Sequence, residues 1–127
     1  MLETGIKGEA TEIVTEKNTA LRVGSGELEV FATPAMIALM EKAAYQSVAG
    51  ELEEGQGTVG ISMNVSHIAA TPVGMKVTAK TELTAIDRRK LVFHVEAYDE
   101  AGKIGEGTHE RFIIKNEEFQ AKANARS

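Results

Sequence analysis

The sequence of 127 residues contains no cysteine and no tryptophan, and only 5% of its residues are aromatic. Without cysteine the chain can form no disulfide, thiolate zinc site, iron–sulfur cluster or cysteine nucleophile, so any catalysis must use oxygen or imidazole groups. A basic block is also missing, because 14 lysines and arginines stand against 19 acidic residues and give a net charge of -5. Nucleic acid is therefore not expected as a partner.

Long hydrophobic runs are absent as well. The longest stretch without a charged or strongly polar side chain, residues 34–40, is much shorter than the ~20 residues of a membrane-spanning helix. The first nine residues include Glu3 and no apolar core, so they do not look like a secretory signal. We expect a cytoplasmic protein without a membrane partner. With 43% apolar residues and no repeat or linker, residues 1–127 are expected to form one domain.

One helix is predicted from Pro34 to about Ala49, with Thr33 as its capping residue. Pro34 suits the first helical position, Thr33 before it is typical of a residue whose side chain caps a helix, and Gly50 can end the helix. Side chains that recur at spacings of three and four define one face of this helix. That face is apolar except for Glu41, and its members are Ile37, Met40, Glu41, Ala44 and Val48.

Alternation of apolar and polar residues predicts strands over most of the remaining chain, at residues 9–14, 58–67, 77–86, 90–98 and 103–115. The turns between the last three strands are short, which indicates antiparallel hairpins. A lone amphipathic helix must bury its apolar face, and the concave side of a curled sheet offers the place. The predicted fold class is α+β, with one long helix wrapped by a curled antiparallel sheet.

The segment from Gly55 to Gly60 matches the letters of the G-x-G-x-x-G dinucleotide fingerprint. Its context is reversed, because a helix precedes it and a strand follows, whereas a dinucleotide site needs a strand before the glycines and a helix after them. We interpret it as a turn followed by a strand glycine.

Glu41 and His67 are both predicted to face the interface between helix and sheet. His67 ends the strand parity of Val59, Ile61, Met63 and Val65, which is otherwise apolar. Burial of an unpaired carboxylate is costly, so Glu41 must find a donor, reach water or take up a proton. The pattern leaves open whether the two residues form a catalytic pair or a structural hydrogen bond. A metal is not expected, because two ligands are too few and no third converges on them.

The other two histidines have different settings. His94 shares its strand parity with Glu96 and is predicted to point outward. His109 lies in a stretch whose alternation is broken by Gly105 and Gly107, so its face is not assigned. A packed, hydrogen-bonded structural role is one interpretation of His109.

Four stretches, residues 31–41, 58–60, 65–72 and 104–111, resemble the fluoroacetyl-CoA thioesterase-like group of hotdog-fold proteins. The specific ones are the sequences Ala-Ala-Thr-Pro at residues 69–72 and Gly-Thr-His-Glu-Arg at residues 107–111. The resemblance spans nearly the whole chain. It implies a hotdog fold, hydrolysis of a short acyl-CoA to the free acid and CoA without a cofactor, and a homodimer with active sites at the subunit interface.

The resemblance also implies roles for single residues. Thr33, Glu41 and His67 match the family's catalytic group, Gly60 matches a glycine whose backbone N–H holds the thioester carbonyl oxygen, and Arg111 matches an arginine near the substrate. These residue types suit thioester hydrolysis, which needs a nucleophile or activated water, a proton donor for the thiolate, and donors for the oxyanion. Glu41 is expected to be the central group, either as general base or as direct nucleophile.

Two features limit what the resemblance implies. Fluoroacetyl-specific members carry phenylalanines in a segment before the helix, and residues 23–29 of this chain contain none, so the acyl group stays open. In addition, eight helical residues separate Thr33 from Glu41 by ~12 Å along the axis, too far for a hydrogen bond in a regular helix.

The alternatives to a thioesterase are an acyl-CoA hydratase or dehydratase and a non-catalytic acyl-CoA-binding module.

Overall fold

A computed structural model describes all 127 residues, from Met1 to Ser127. Five strands form one antiparallel sheet in the order β1-β3-β4-β5-β2. The strands are β1 (Lys7–Ile13), β2 (Gln56–His67), β3 (Lys76–Asp87), β4 (Lys90–Asp99) and β5 (Gly102–Lys115). The long helix α2 (Thr33–Ala49) follows β1 and packs against the sheet. A 3-10 turn (Glu16–Asn18) and the short helix α1 (Ala20–Val23) precede it, and α3 (Asn116–Asn124) ends the chain.

The predicted elements lie close to the observed ones. Helix α2 ends where predicted and begins one residue earlier, the hairpins are antiparallel, and the α+β hotdog fold is confirmed. Helices α1 and α3 were not predicted, and neither has a buried residue. None of the helices has the length and apolar character that crossing a membrane requires.

The buried face of α2 is rotated from the predicted one. Its fully buried residues are Met36, Leu39, Met40, Ala43, Ala44 and Val48, and they pack with sheet residues such as Leu83, Phe93 and Val95 in one core. Met36 and Ala43 extend this stripe on the side away from Ile37, which is only partly buried. Glu41 lies at the margin of the buried stripe and its side chain is 41% exposed, so of the alternatives left open by the sequence it reaches water and a neighbouring donor group.

A bulge interrupts β2. Gly60 pairs with Arg111 and Ser62 pairs with Glu110, so Ile61 is an extra residue in the ladder. An extra residue reverses the alternation of faces. Ile61 is 51% exposed, and the prediction that Val59 and Ile61 share the inner face with His67 is therefore wrong. Gly60 takes the inner position instead, opposite the buried Arg111.

Strand β2 is an edge of the sheet. It pairs with β5 along its length, and its other side is open over 12 residues. An open edge presents backbone N–H and C=O groups that can pair with another strand. This edge carries both Gly60 and His67.

Candidate active site

Thr33 is the first residue of α2, and its side chain does not cap the helix. The N-cap position is Ala32, which makes no side-chain capping bond, and Pro34 occupies the first turn. The predicted capping role of Thr33 is therefore wrong. Its hydroxyl oxygen lies instead 2.7 Å from Nδ1 of His67, at the end of β2. Thr33 lies inside the first turn of the helix and not at the N-cap position. Its hydroxyl therefore makes no capping bond and contacts the imidazole instead.

His67 is held in a partly enclosed position. Its Nε2 is buried and has no hydrogen-bond partner within the chain. Burial lowers the pKa of His67, and the backbone of Ala69 opposes this effect less strongly. A neutral imidazole at neutral pH can accept a proton, so His67 is suited to acid–base chemistry.

A pocket opens beside Thr33 and His67. Its volume is about 270 Å³, and six of its nine lining residues are hydrophobic. They are Ala20, Val30, Phe31, Ile68, Ala69 and Ala70. The pocket thus combines an apolar wall with a hydroxyl and an imidazole at one end, which is the combination that fixes a small organic ligand in place.

Glu41 and Gly60 form a second close contact. A Cβ atom built on Gly60 would lie 2.8 Å from Oε2 of Glu41, so the carboxylate rests directly over the glycine. The same oxygen is 3.8 Å from an Nη atom of Arg111. The carboxylate is thus solvated on its exposed side and lies near the positive charge of the guanidinium on the other, so its charge is compensated at this interface.

Arg111 is 7% exposed and anchored to β2 by two bonds. Its Nε donates to Oγ1 of Thr58 at 2.8 Å, and one Nη donates to the Thr58 carbonyl at 2.9 Å. Its guanidinium carbon lies 5.7 Å from the centre of the Tyr45 ring. Burial lowers the pKa of Arg111 and the charge of Glu41 raises it, and a guanidinium keeps its proton in proteins.

His109 belongs to the same cluster. It is 1% exposed, its Nδ1 lies 2.8 Å from the carbonyl oxygen of Ser62, and its Nε2 lies 3.1 Å from Arg111. Sequence reasoning did not assign its face. The signal was available, because His109 shares strand parity with Arg111 and with the apolar Ile113, all three buried on β5.

The predicted site residues thus fall into two groups. Thr33 and His67 meet at one end of α2, whereas Glu41, Gly60 and Arg111 meet two turns further along it. No hydrogen bond joins Glu41 to His67 within the chain, so the structural hydrogen bond considered from the sequence is not formed within one chain. No set of three histidine, aspartate or glutamate side chains converges in a way that could hold a metal ion. His94 points outward, with Nε2 3.2 Å from Glu96 as predicted.

Comparison with known proteins supplies the family. Residues 14–117 match the family described as fluoroacetyl-CoA-specific thioesterase. The fluoroacetyl-CoA thioesterase of Streptantibioticus cattleyicolor is 44% identical over 99 residues, which cover 78% of this chain and 71% of that protein.

Solved structures agree with this match. One of a fluoroacetyl-CoA thioesterase, a threonine-to-serine variant in complex with acetyl-CoA, has a TM-score of 0.94 at 35% identity and covers 99% of both chains. A thioesterase superfamily member from Thermus thermophilus has a TM-score of 0.90 at 27% identity, over 98% of this chain and 93% of its own. The chain therefore belongs to the fluoroacetyl-CoA-specific thioesterase family, with the hotdog fold.

Proposed function

We propose that this protein hydrolyses the thioester of a short acyl-CoA and releases the free acid and CoA. Family membership supports this activity. The observation that carries it is the contact between Thr33 and His67 at the mouth of an apolar pocket. A thioester bound there would place its acyl group against apolar side chains and its carbonyl carbon near groups that move protons.

The reaction needs one water molecule and no redox partner. Glu41 accepts a proton from water, the water oxygen bonds to the carbonyl carbon, and the carbon–sulfur bond breaks. The departing thiolate takes up the proton that Glu41 removed from water, and the neutral ring of His67 is the candidate to relay it, so both side chains return to their starting states. Gly60 and Arg111 provide donors for the negative charge that develops on the carbonyl oxygen. Thr33 orients the ring of His67. No cofactor is required by these steps.

The pocket favours a small acyl group. Its volume of about 270 Å³ lies just below the ~300–1,000 Å³ of pockets that hold drug-sized ligands. The relative whose structure contains acetyl-CoA has the same fold over nearly its full length. We therefore propose short, compact acyl-CoAs as substrates, handled by one catalytic domain of residues 1–127 in the cytoplasm, without nucleic acid or membrane as partners.

A homodimer would complete the site. When two copies pair antiparallel through β2 about a two-fold axis, residues on opposite sides of the axis become neighbours. Ile61 is an extra residue in the ladder, so Gly60 and His67 lie six pairing positions apart, on the same face of β2. A two-fold axis at Asn64 therefore brings His67 of one protomer opposite the partner's Gly60. The Thr33–His67 pair would then face the partner's Glu41. The open edge of β2 and the separation of the two groups within one chain support this arrangement.

The test is release of free thiol from a panel of short and medium acyl-CoAs. Since the chain has no cysteine, a thiol reagent detects CoA alone. We expect turnover by the wild type, and a fall in kcat of about 100-fold or more in Glu41→Gln and in His67→Ala. Glu54→Gln, on an exposed loop residue, is the matched control and should keep wild-type turnover. Unchanged turnover in folded Glu41→Gln would remove Glu41 from the reaction, and no thiol release from any acyl-CoA would reject the thioesterase.

A further inference from the structure

His109 is a buried histidine to which the proposed reaction assigns no step. We infer that it is a positioning residue, which holds Arg111 against the Glu41 carboxylate by accepting a hydrogen bond at Nε2. This inference rests on the proposed function, since it concerns the same reaction. It is carried by the contacts of His109 with Arg111 and with the bulge of β2.

The contacts of the imidazole fix which nitrogen carries the proton. A carbonyl oxygen can only accept, so the 2.8 Å contact with Ser62 requires a proton on Nδ1. The neutral ring then has a lone pair on Nε2, and an Nη of Arg111, which can only donate, lies 3.1 Å from it. Both ring nitrogens of His109 are therefore used, and each has a different role.

Arg111 is held in place on three sides. Thr58 takes two of its N–H groups, and His109 takes one on the Nη that is 3.8 Å from Glu41. The guanidinium is planar and its three nitrogens move as one unit. The Thr58 contacts hold one edge of this plane and His109 holds the opposite Nη, so without His109 the plane could tilt about the Thr58 edge and move that Nη away from Glu41. The contact with His109 therefore decides how Arg111 presents its charge to Glu41 and to a substrate oxygen.

The same ring also ties the bulge. Ser62 is the residue at which pairing with β5 resumes after Ile61, and its carbonyl is the acceptor for Nδ1 of His109. The bulge brings Gly60 under Glu41. His109 thereby links two features of the site, the direction of Arg111 and the position of Gly60.

The surroundings require a neutral ring. The charged and titratable groups that face His109 are Arg111 on β5 and Glu41 on α2, with Tyr45 of α2 on the far side of the guanidinium. Strand β2 contributes the Ser62 carbonyl, and β4 contributes Phe93, whose ring centre is 6.2 Å from that of His109. A proton on Nε2 would remove the lone pair and place a cation next to Arg111.

Three substitutions separate the two contacts. The amide of Gln reaches the place of Nε2 and can accept from Arg111, the amide of Asn reaches the place of Nδ1 and can donate to Ser62, and Phe can do neither. We expect His109→Asn and His109→Phe to lower kcat at least about tenfold, the effect of losing a hydrogen bond to a charged group, with a smaller change in KM. His109→Gln should stay within about threefold of wild type. Equal kcat in all three folded variants would show a structural role only and overturn the inference.

Nitrogen NMR gives a readout that does not depend on activity. The chain has three histidines, so their ring signals can be assigned by single substitution. We expect the signals of His109 to show a protonated Nδ1 and a bare Nε2 at pH 7, and Arg111→Lys to shift Nε2 of His109 while leaving those of His94 in place. A proton on Nε2, or no response to Arg111→Lys, would overturn the inference even where acyl-CoA hydrolysis is found. Failure of hydrolysis with the expected NMR result would count against the proposed function alone.

Discussion

The hydroxyl oxygen of Thr33 lies 2.7 Å from Nδ1 of His67, which joins the first residue of α2 to the last residue of β2. The two residues are 34 positions apart in the chain. The threonine is exposed and makes no capping bond to the helix that it begins. The hydroxyl therefore adds little to the stability of the helix, and its contact with Nδ1 orients the imidazole ring.

This contact predicts that Thr33→Ala lowers activity more than stability. We expect kcat to fall about tenfold or more, because the ring of His67 loses the bond that orients it. The free energy of unfolding should change by less than about 0.5 kcal/mol, as for other exposed positions. Thr33→Ser keeps the hydroxyl and should keep most of the activity. Thiol release and urea unfolding measure the two effects.

A true capping residue would give the opposite result. Loss of a side-chain N-cap costs about 1 kcal/mol, and a cap has no direct part in turnover. An alanine variant that loses this much stability but retains kcat would contradict the role proposed for Thr33.

The close contact at Gly60 also predicts a variant that loses activity while it keeps its stability. A methyl group at this position would meet Oε2 of Glu41 at 2.8 Å and, less closely, Cε1 of His109 at 3.2 Å. The carboxylate is the end of a flexible, partly exposed side chain, so it can move aside. We expect Gly60→Ala to fold and to shift its melting temperature little, but to lose most of its kcat because Glu41 is displaced.

Gly8→Ala is the matched comparison, at a glycine outside the site. Its new methyl group would meet the backbone oxygen of Ala43 and would lie 2.7 Å from Cβ of Ser47, both on α2. A helix backbone cannot swing away as a carboxylate can, so β1 and α2 must separate. We expect a loss of about 1–3 kcal/mol in the free energy of unfolding. Equal effects of the two alanines on stability would contradict this account of Gly60.

The fold could be predicted well because its helix and strands show regular periods of apolar residues in the sequence. The helix bounds and the hairpins follow from spacings of three, four and two, which each segment carries by itself. The site was harder. The positions of its two groups of residues follow from the bulge at Ile61. A bulge reverses which residues of a strand face inward, and the composition of the strand does not indicate that it is present. For Thr33 the local pattern indicated a cap and only the family resemblance indicated a place in the site, since the same Thr-Pro sequence fits a cap and a helix that begins one residue earlier.

The proposed dimer predicts a cross-link in a chain that has no cysteine of its own. Asn64 is an exposed residue of β2 at the proposed axis, where it would face its own copy. Side chains that face each other across an antiparallel pair have Cβ atoms ~4.5–5.5 Å apart. Mild oxidation of Asn64→Cys should therefore give a covalent dimer at near-complete yield. Ala101→Cys, in the exposed β4–β5 turn, is the control and should remain monomeric on a denaturing gel. Equal, slow cross-linking of both variants would speak against pairing through β2.

Stability should fall as the pH is lowered from about 7.5 to 5.5. Burial lowers the pKa of both His67 and His109 below the ordinary 6.5, and the charge of Arg111 adds to the effect at His109. In this range the unfolded chain binds more protons than the folded chain, so the free energy of unfolding decreases as pH falls from 6.5 through the folded pKa of each ring. Lys103 lowers the pKa of Glu96 to about 2, so that carboxyl contributes only below about pH 4.5.

The contribution of His109 to this slope can be isolated. Glutamine does not titrate, so urea unfolding of His109→Gln at pH 7.5 and 5.5 should show a smaller loss of stability than the wild type shows. His67→Gln should likewise remove its own part, and the double variant should be nearly independent of pH over this interval, since the two rings lie in separate groups and their effects should add. A slope in His109→Gln equal to that of the wild type would mean that the buried ring is not neutral beside Arg111, and it would contradict the bond pattern from which its proton position follows.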